Sequence, residues 1–340
     1  MKKKTVTKKI DEQMFIELFN AGKDDIDLAK LFGVAERTIQ RYGAQLRKKG
    51  KIKLRKNLPS SRTTTRISSD LKEIKPINWK IAKPSNKVLP NKSFSTYLVV
   101  ADTHVPYENE VAVKSILKLM DDVRFDGFII LGDYIDMRPI SHWLKHKRKT
   151  LENQRMKQDY IEGNRLLDEF DKRLAKNCDK RFFYGNHENW YFNLIEEMPA
   201  LDGLLHPTEE LKLKERGYTV YEKINHIERI GRLNFTHGIY TSQNYVKKHI
   251  DELKSNVMFG HLHSPRMRLA CSPAREIAIA GYCLGSLCNM SPSYMHGRPD
   301  KWAHGFGIVY FYENGFFDAD LKRIVKGKFV YNNRLYDGNV

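Results

Sequence analysis

The stretch "GFIILGDYID", residues 127–136, decides the fold of this chain. Its run of four apolar residues is typical of a buried strand, and it ends in two acids, Asp133 and Asp136, just past a glycine. A carboxylate that leaves a core strand costs free energy unless a cation meets it. The sequence therefore predicts a cation at the end of this strand.

Similar apolar runs continue from residue 96 onward and alternate with amphipathic stretches. "TYLVVAD", "GFIILGD" and "RFFYGN" are separated by helical patterns, the second of them long, over about residues 139–177, which predicts a βαβαβ unit with a partly parallel sheet. Later runs predict a second, more mixed sheet, and they are "YTVYE", "HIERIG", "LNFTHG", "NVMFGH", "EIAIAGYCLG" and "FGIVYFYEN". We expect two facing sheets flanked by helices.

Polar residues follow many of these runs, at the points where the strands would end. Ligands of open α/β sheets bind beyond the carboxyl ends of strands, so one site can gather residues from several of them. Carboxylate, imidazole and amide oxygen suit Mn, Fe or Zn, and a carboxylate can bridge two ions about 3.5–4 Å apart. We expect a metal pair, with Mn²⁺ preferred over Fe or Zn. The residues concerned are Asp102, His104, Asp133, Asp136, Asn186, His187, His237, His261 and His263.

The ordered blocks "DTH", "GDYID", "GNHE", "THG" and "GHLH" resemble those of the calcineurin-like metallophosphoesterases over about residues 96–320. A looser likeness, through "ISHW" and "SYMHGRPDKWAHGFGIVY", is to members encoded by tailed phages. The resemblance implies a four-layer αββα sandwich and a hydrolase with two divalent ions. It also implies roles: Asp102, His104 and His263 bind the first metal, Asp133 bridges, Asn186, His237 and His261 bind the second, His187 is the general acid or transition-state donor, and Asp136 orients it.

Each block alone is a weak signal, because a lone Asp-x-His or His-x-His is mostly an accident of a loop. Five in the expected order, each after a predicted strand, leave little room for coincidence. His142 and His146 have the spacing of two ligands on one helix face, but the Lys and Arg residues at 145 and 147–149 favour a solvated basic face. We expect that stretch to overhang the metals and to offer positive charge to a polyanionic substrate.

Positive charge is concentrated in the N-terminal quarter. Residues 1–95 carry 24 Lys and Arg against 9 Asp and Glu, whereas the remaining 245 residues carry 35 against 32, within a net charge of +18. A polyanion-binding segment is therefore joined to a nearly neutral globular body. We expect a small all-α domain over residues 1–50, a basic linker over 51–95 and the metallophosphoesterase domain over 96–340.

Residues 11–50 predict three short helices, with Met14, Ile16, Leu18 and Phe19 largely on one side of the first. Ala29, Gly33 and the apolar residues around them fill the packing positions of a helix-turn-helix, which makes the third helix a recognition helix. A three-helix bundle used for protein contacts is the alternative. The residues expected to contact DNA are Arg37, Thr38, Gln40 and Arg41, with Arg47, Lys48 and Lys49 near phosphates.

The four cysteines show no CxxC pair and suit reduced thiols, and no run approaches the ~20 apolar residues of a membrane helix. We expect a cytoplasmic protein without a membrane partner, in the host cell if a phage encodes it. The sequence does not indicate an oligomeric state.

Three functions are open at this point. In the Ser/Thr phosphoprotein phosphatase branch the second block continues Asp-Arg-Gly and the closing His-x-His is absent, whereas this chain has "DMRP" and "GHLH". The His-x-His resembles the branch of DNA-repair nucleases and nucleotide phosphodiesterases, so a nuclease recruited to DNA by its own helix-turn-helix is the first hypothesis. A phosphoprotein or nucleotide phosphatase that uses the N-terminal module for localisation is the second. A DNA-binding regulator without turnover is the third, and the complete set of ligands argues against it.

Overall fold

The computed structural model describes residues 10–21, 23, 25–52, 93–141, 144, 148–271, 277–290 and 301–340. The chain divides into two compact units, residues 1–74 and 75–340, which we call the N-terminal and the C-terminal unit. Most of the predicted linker lies outside the described residues, as do His142 and His146. Among the helices that the structure describes, none has the length and hydrophobicity needed to span a membrane.

The N-terminal unit contains the three predicted helices, α1 (Glu12–Asn20), α2 (Asp25–Phe32) and α3 (Glu36–Lys48). The side chain of Asp11 caps α1 by accepting from the Met14 N–H at 2.9 Å. Gly33 takes a left-handed conformation, φ +62°, at the turn between α2 and α3, a conformation that glycine adopts without steric cost. The core consists of Phe15, Phe19, Leu28, Ala29, Ile39, Leu46 and Ile52.

The expected buried side of α1 is confirmed at Phe19 and in part at Ile16 and Leu18, but it is wrong at Met14 and omits Phe15. Met14 is 45% exposed, whereas Phe15 is fully buried at the centre of the aromatic cluster that it forms with Phe19, Phe32 and Tyr42. Phe15 and Phe19 lie one turn apart and both face α2 and α3, and this i, i+4 pair sets the buried stripe.

In its described residues the C-terminal unit contains two large sheets, a small hairpin and five α-helices. The helices are α4 (Glu110–Asp122), α5 (Met156–Asp171), α6 (Asn186–Glu197), α7 (Pro207–Glu210) and α8 (Tyr245–Leu253). The strands are β1 (Phe94–Val100), β2 (Gly127–Leu131), β3 (Asp179–Phe183), β4 (Tyr218–Tyr221), β5 (Glu228–Ile230), β6 (Leu233–Thr236), β7 (Asn256–Phe259), β8 (Arg266–Ala270), β9 (Ile279–Cys283), β10 (Gly305–Tyr312), β11 (Phe317–Arg323), β12 (Lys328–Tyr331) and β13 (Arg334–Asp337).

The first sheet has the strand order β11-β10-β1-β2-β3-β4 and the second β5-β6-β7-β9-β8, while β12 and β13 pair with each other. Val99 and Ile129 of the first sheet pack with Phe235 and Met258 of the second in a core between the sheets. The opposite face of the first sheet packs on α4 and α5, and that of the second packs on α8. The predicted four-layer αββα sandwich is therefore confirmed.

Two features of the sandwich differ from the prediction. The runs that form β4 and β10 belong to the first sheet, where β4 extends the parallel strands β1 to β3 and β10 pairs antiparallel with β1. The long helix over 139–177 is reduced to α5, preceded by 3-10 turns at Arg138–Ile140 and Arg148–Leu151. Met137 is left-handed, φ 49°, and Pro139 follows it closely, so a continuous helix cannot start there.

We predict that Phe15→Ala destabilises the N-terminal unit by about 3–5 kcal/mol, the cost of removing a buried aromatic ring. Met14→Ala should change its stability by less than about 0.5 kcal/mol, since this side chain is half exposed. Hydrogen exchange of the α1 to α3 amides in the full chain, measured by mass spectrometry, separates the two. Equal protection in both variants would show that Phe15 is not the centre of this core.

Candidate metal centre

Nine polar side chains meet beyond the carboxyl ends of five strands, and we call them the strand-end site. Two follow β1, two follow β2, one follows β6, two follow β7, and two open α6 just after β3. The structure thus brings together the residues that the sequence analysis singled out at the ends of its apolar runs. They are Asp102, His104, Asp133, Asp136, Asn186, His187, His237, His261 and His263.

One half of the site contains Asp102, His104 and His263. The Nε2 atoms of the two histidines are 3.2 Å apart, and His263 Nε2 is 3.3 Å from Asp102 Oδ1. All three residues are buried. Three donor atoms therefore point toward one small volume.

The other half contains Asp133, His237, Asn186 and His261. His237 Nε2 lies 3.3 Å from Asp133 Oδ2 and 3.2 Å from Asn186 Oδ1. Ligand atoms of Asp133, His237 and His261 all lie within 4.8 Å of one another. Asp133 Oδ2 is also 3.9 Å from His104 Nε2, so this one carboxylate oxygen lies between the two halves.

The chemistry of these donors fits a pair of divalent metal ions. His237 Nδ1 donates to the Leu131 carbonyl at 2.7 Å, and His104 Nδ1 donates to Asp136 Oδ1 at 2.9 Å. In each ring a hydrogen bond at Nδ1 leaves Nε2 to face the site, which is the arrangement typical of metal-binding histidines. In the metal-free protein one of the two Nε2 atoms carries a hydrogen and donates to the other across 3.2 Å, and a metal ion would take the place of that hydrogen.

The backbone of the site is strained at five of the predicted metal ligands. These residues have left-handed φ angles of 48–68°, a region that only a few per cent of non-glycine residues enter, although Asp and His enter it more often than most. Such conformations cost of order 1 kcal/mol or more each, and they cluster at functional sites. The five are Asp102, His104, Asp133, His261 and His263.

His187 lies beside the carboxylate that is shared by the two halves. Its Nε2 is 4.0 Å from Asp133 Oδ2, and its ring packs on Trp190 with ring centroids 3.9 Å apart. Its Nδ1 donates to the main-chain carbonyl of Asp136 at 2.6 Å, whereas the Asp136 carboxylate is 3.5 Å away. Asp136 therefore contacts His187 most closely through its backbone, while its carboxylate orients His104.

Glu188 is a residue of this site to which the sequence analysis assigned no role. Its fully buried carboxylate accepts four backbone N–H groups, from Asp133, Tyr134, Ile135 and Gly185, at 2.8–3.1 Å. It thereby ties the loop after β2 to the start of α6. The signal in the sequence is the acid at the third position of a helix, where a capping box places one.

Proton and metal binding compete at this site. Burial alone would lower the pKa of His104 and His237, but the hydrogen bond from His104 to Asp136 and the charge of Asp133 beside His237 outweigh it. The pKa of His104 is raised to about 9 and that of His237 to about 10. Without metal, both rings are therefore protonated at neutral pH.

The seven residues predicted to contact DNA lie on one element of the N-terminal unit. All of them are exposed, on α3 or directly after it. The Gln40 side chain donates to Glu36 Oε1 at 3.0 Å, so a DNA contact by Gln40 would compete with this bond. The set is Arg37, Thr38, Gln40, Arg41, Arg47, Lys48 and Lys49.

The fold that the structure shows is the one implied by the resemblance to the calcineurin-like metallophosphoesterases. No family model matches the sequence. The chain is 22% identical over 262 residues to the gene 54 protein of Mycobacterium phage D29, a match that covers 71% of this chain and 98% of the phage protein.

Similar solved structures include an archaeal phosphodiesterase, 16% identical, which covers 66% of this chain and 99% of its own with a TM-score of 0.36. They also include Vps29 from Entamoeba histolytica, solved in complex with Zn²⁺, which is 12% identical and covers 72% of this chain and 99% of its own with a TM-score of 0.38.

We predict that Glu188→Gln lowers both metal content and stability. A glutamine offers one acceptor oxygen instead of two, so some of the four backbone N–H groups lose their acceptor. Each buried N–H left without an acceptor should lower the free energy of unfolding by about 1–3 kcal/mol. Thermal unfolding of the metal-free protein and elemental analysis after metal loading measure the two effects. Glu196→Gln, on an exposed residue of the same helix, is the control, and equal behaviour of both variants would contradict the anchoring role of Glu188.

We also predict that metal binding at pH 7.5 releases about two protons, since His104 and His237 must lose them to become ligands. Because both pKa values are raised, proton release should fall, and apparent metal affinity rise, as the pH increases through about 9–10. Calorimetry in buffers of different ionisation enthalpy counts the protons. Binding at pH 7.5 without proton release would contradict the assignment of these rings.

Proposed function

We propose that this chain is a phosphodiesterase that uses two divalent metal ions, acts on DNA and is held there by its N-terminal unit. The observation that carries the proposal is the convergence of the strand-end site, with Asp133 Oδ2 between two clusters of donor atoms. A site built for one ion would not need a buried carboxylate oxygen that faces histidines on both sides. The His-x-His of "GHLH" favours a diesterase over a phosphoprotein phosphatase.

Residues of the two clusters would hold the ions. Asp102, His104 and His263 would bind the first, Asn186, His237 and His261 the second, and Asp133 both. Mn²⁺ is our preferred metal, and the same donors are compatible with Fe or Zn. When bound, the ions supply Lewis-acid activation of water and of the phosphate group.

The protein's own contribution to the reaction centres on His187. The Asp136 carbonyl accepts the Nδ1–H of His187, and Trp190 packs against the ring. The Nε2 atom of His187 therefore remains to contact a substrate beside Asp133. Burial lowers the pKa of His187, and the protonated ring is therefore a stronger acid than an exposed histidine. It would donate from Nε2 to the leaving oxygen.

Charge in the N-terminal unit supports DNA as the polyanion. The exposed residues of α3 include Arg37, Arg41, Arg47 and Lys48, which can neutralise phosphates along a groove. A recognition helix that carries such residues is the usual reader of the major groove.

A phosphoprotein or nucleotide phosphatase is the second candidate, with the N-terminal unit used for localisation. The observation that favours it is the exposure of Ile26 and Leu31 on α2, at 53% and 51%, which would suit a protein contact. Assay of the Mn²⁺-loaded protein on single- and double-stranded DNA, a phosphopeptide and a cyclic nucleotide decides between the two. Turnover of the phosphopeptide and none of the DNA would overturn our proposal.

We predict that His187→Ala retains two metals but lowers turnover of a small chromogenic phosphodiester by about 10²–10⁴, the usual contribution of a positioned acid. Asp133→Asn should instead lose metal, because the lost negative charge no longer offsets the repulsion between two dications. Elemental analysis and steady-state kinetics distinguish the variants. Equal metal loss in both would refute the assigned roles.

We predict that Arg37→Ala/Arg41→Ala weakens duplex DNA binding while leaving hydrolysis of the small diester unchanged. Each lost phosphate contact should reduce the slope of log K against log salt by about 0.9, and a lost base contact should cost about 1–3 kcal/mol. Arg124→Ala/Lys176→Ala removes the same amount of charge from exposed residues that precede β2 and β3. Equal salt slopes in the two double variants would favour a protein-contact role for α3.

A further inference from the structure

A cationic surface lies next to the strand-end site, on the helix-covered side of the second sheet. It consists of Tyr240, Tyr245, Lys248, Arg266 and Arg268, and we call it the α8 strip. We propose that the α8 strip binds the phosphodiester backbone of the DNA strand that continues from the scissile phosphate. This inference rests on the proposed function and adds a substrate-binding surface outside the metal ligands.

Position along the chain ties the strip to the metal ligands. Tyr240 follows His237 by three residues, and Arg266 follows His263 by three. The Tyr245 hydroxyl donates to the carbonyl of Ser264, the neighbour of His263, at 3.3 Å. Both ends of the strip therefore adjoin loops that carry predicted ligands.

The register of the second sheet orients the two arginines. Arg266 pairs with Cys283 and Arg268 with Gly281 in the antiparallel ladder of β8 and β9, and directly paired residues point to the same face. A Cβ on Gly281 would meet Val246 of α8 at 2.8 Å, so this face is the helix side. Both arginines thus lie on the same side of the sheet as α8.

Aromatic rings support two of the cations. The Lys248 ammonium lies 4.9 Å from the centre of the Tyr240 ring, and the Arg266 guanidinium lies 5.0 Å from that of Tyr245. Lys248 is one helical turn after Tyr245, on the same side of α8. The two cations are therefore neighbours, and each is positioned by a ring rather than by an acid.

Acids near the strip leave it with positive charge. Asp251 pairs with Lys247, and its pKa is lowered by that hydrogen bond and by the charges of Lys247, Lys254 and Arg268. Glu252 is exposed one turn from Lys248. Within the described part of the chain, neither Lys248 nor Arg266 forms an ion pair.

A buried histidine holds the strip rigid. His249 is fully buried, and its Nε2 accepts the N–H groups of Ile239 and Tyr240 at 2.9 and 3.4 Å. Its Nδ1 donates to the Tyr245 carbonyl at 2.8 Å, and its ring stacks on Phe259 at 3.8 Å. The loop after His237 is thereby attached to α8, so a bound strand would meet a preorganised surface.

These features match what a nucleic-acid strand requires. Cations along a path bind successive phosphates without reading the sequence of the bases, and the buried Tyr245 ring positions Arg266 for this. A site that held only a small phosphoester would have no use for cations beyond its metals. The α8 strip therefore suits an extended polyanion, of which a DNA strand is the one consistent with the proposed function.

The test compares Lys248→Ala/Arg266→Ala with the charge-matched Arg124→Ala/Lys176→Ala control in the full chain. The probe is a short single-stranded oligonucleotide, and the N-terminal quarter, whose positive charge also attracts it, is identical in all the proteins compared. Binding is measured by fluorescence anisotropy over a range of salt concentrations, and hydrolysis of the oligonucleotide and of a small chromogenic diester is measured beside it.

We expect the strip variant to reduce the slope of log K against log salt by about 1.4, from two phosphate contacts of about 0.7 each, and to raise KM for the oligonucleotide. The control should match the wild type, and all three proteins should hydrolyse the small diester equally. Equal slopes and KM values in the strip variant and the control would overturn the α8 strip alone. A wild type that hydrolyses the small diester but neither binds nor cuts DNA would overturn both the strip and the proposed DNA function.

Discussion

Two buried carboxylates, Asp102 and Asp133, impose the constraint on which the rest of the structure depends. Asp102 is fully buried and Asp133 is 2% exposed, so water cannot solvate the negative charge of either carboxylate. Burial alone would raise the pKa of Asp133, but the charge of His237 lowers it well below its usual range. The histidines provide that charge as protons in the metal-free protein, and we infer that metal ions provide it in the working one.

The same constraint explains the strained loops around the site. Five predicted ligands have left-handed backbones, and the chain would not hold them there without strong local contacts. Glu188 holds the loop after β2, and the Asp102 carboxylate accepts the His261 N–H at 2.8 Å, which joins the loops after β1 and β7. Hydrogen bonds to Glu188 and to one predicted ligand thus hold the loops that carry the others in place.

Much of the fold and of the site was predictable because both follow from where apolar runs end. Parallel strands bring their carboxyl ends to one edge, so polar residues after those runs had to meet. The sequence did not predict that β4 and β10 belong to the first sheet, because an apolar run indicates a strand but not the strand with which it pairs. The capping box marks Glu188 as the acid at the third position of α6, but its bonds to Asp133, Tyr134 and Ile135 leave no mark in the sequence, and neither do those of His249 to Ile239 and Tyr240.

The central claim is that Asp133 joins two metal ions. The most direct measurement is a crystal structure of the Mn²⁺-loaded protein with anomalous scattering data collected at the manganese edge. Our account predicts two anomalous peaks about 3.5–4 Å apart, with the Asp133 carboxylate between them, one peak beside Asp102, His104 and His263 and the other beside Asn186, His237 and His261. A single peak, or two peaks that do not share Asp133, would contradict it.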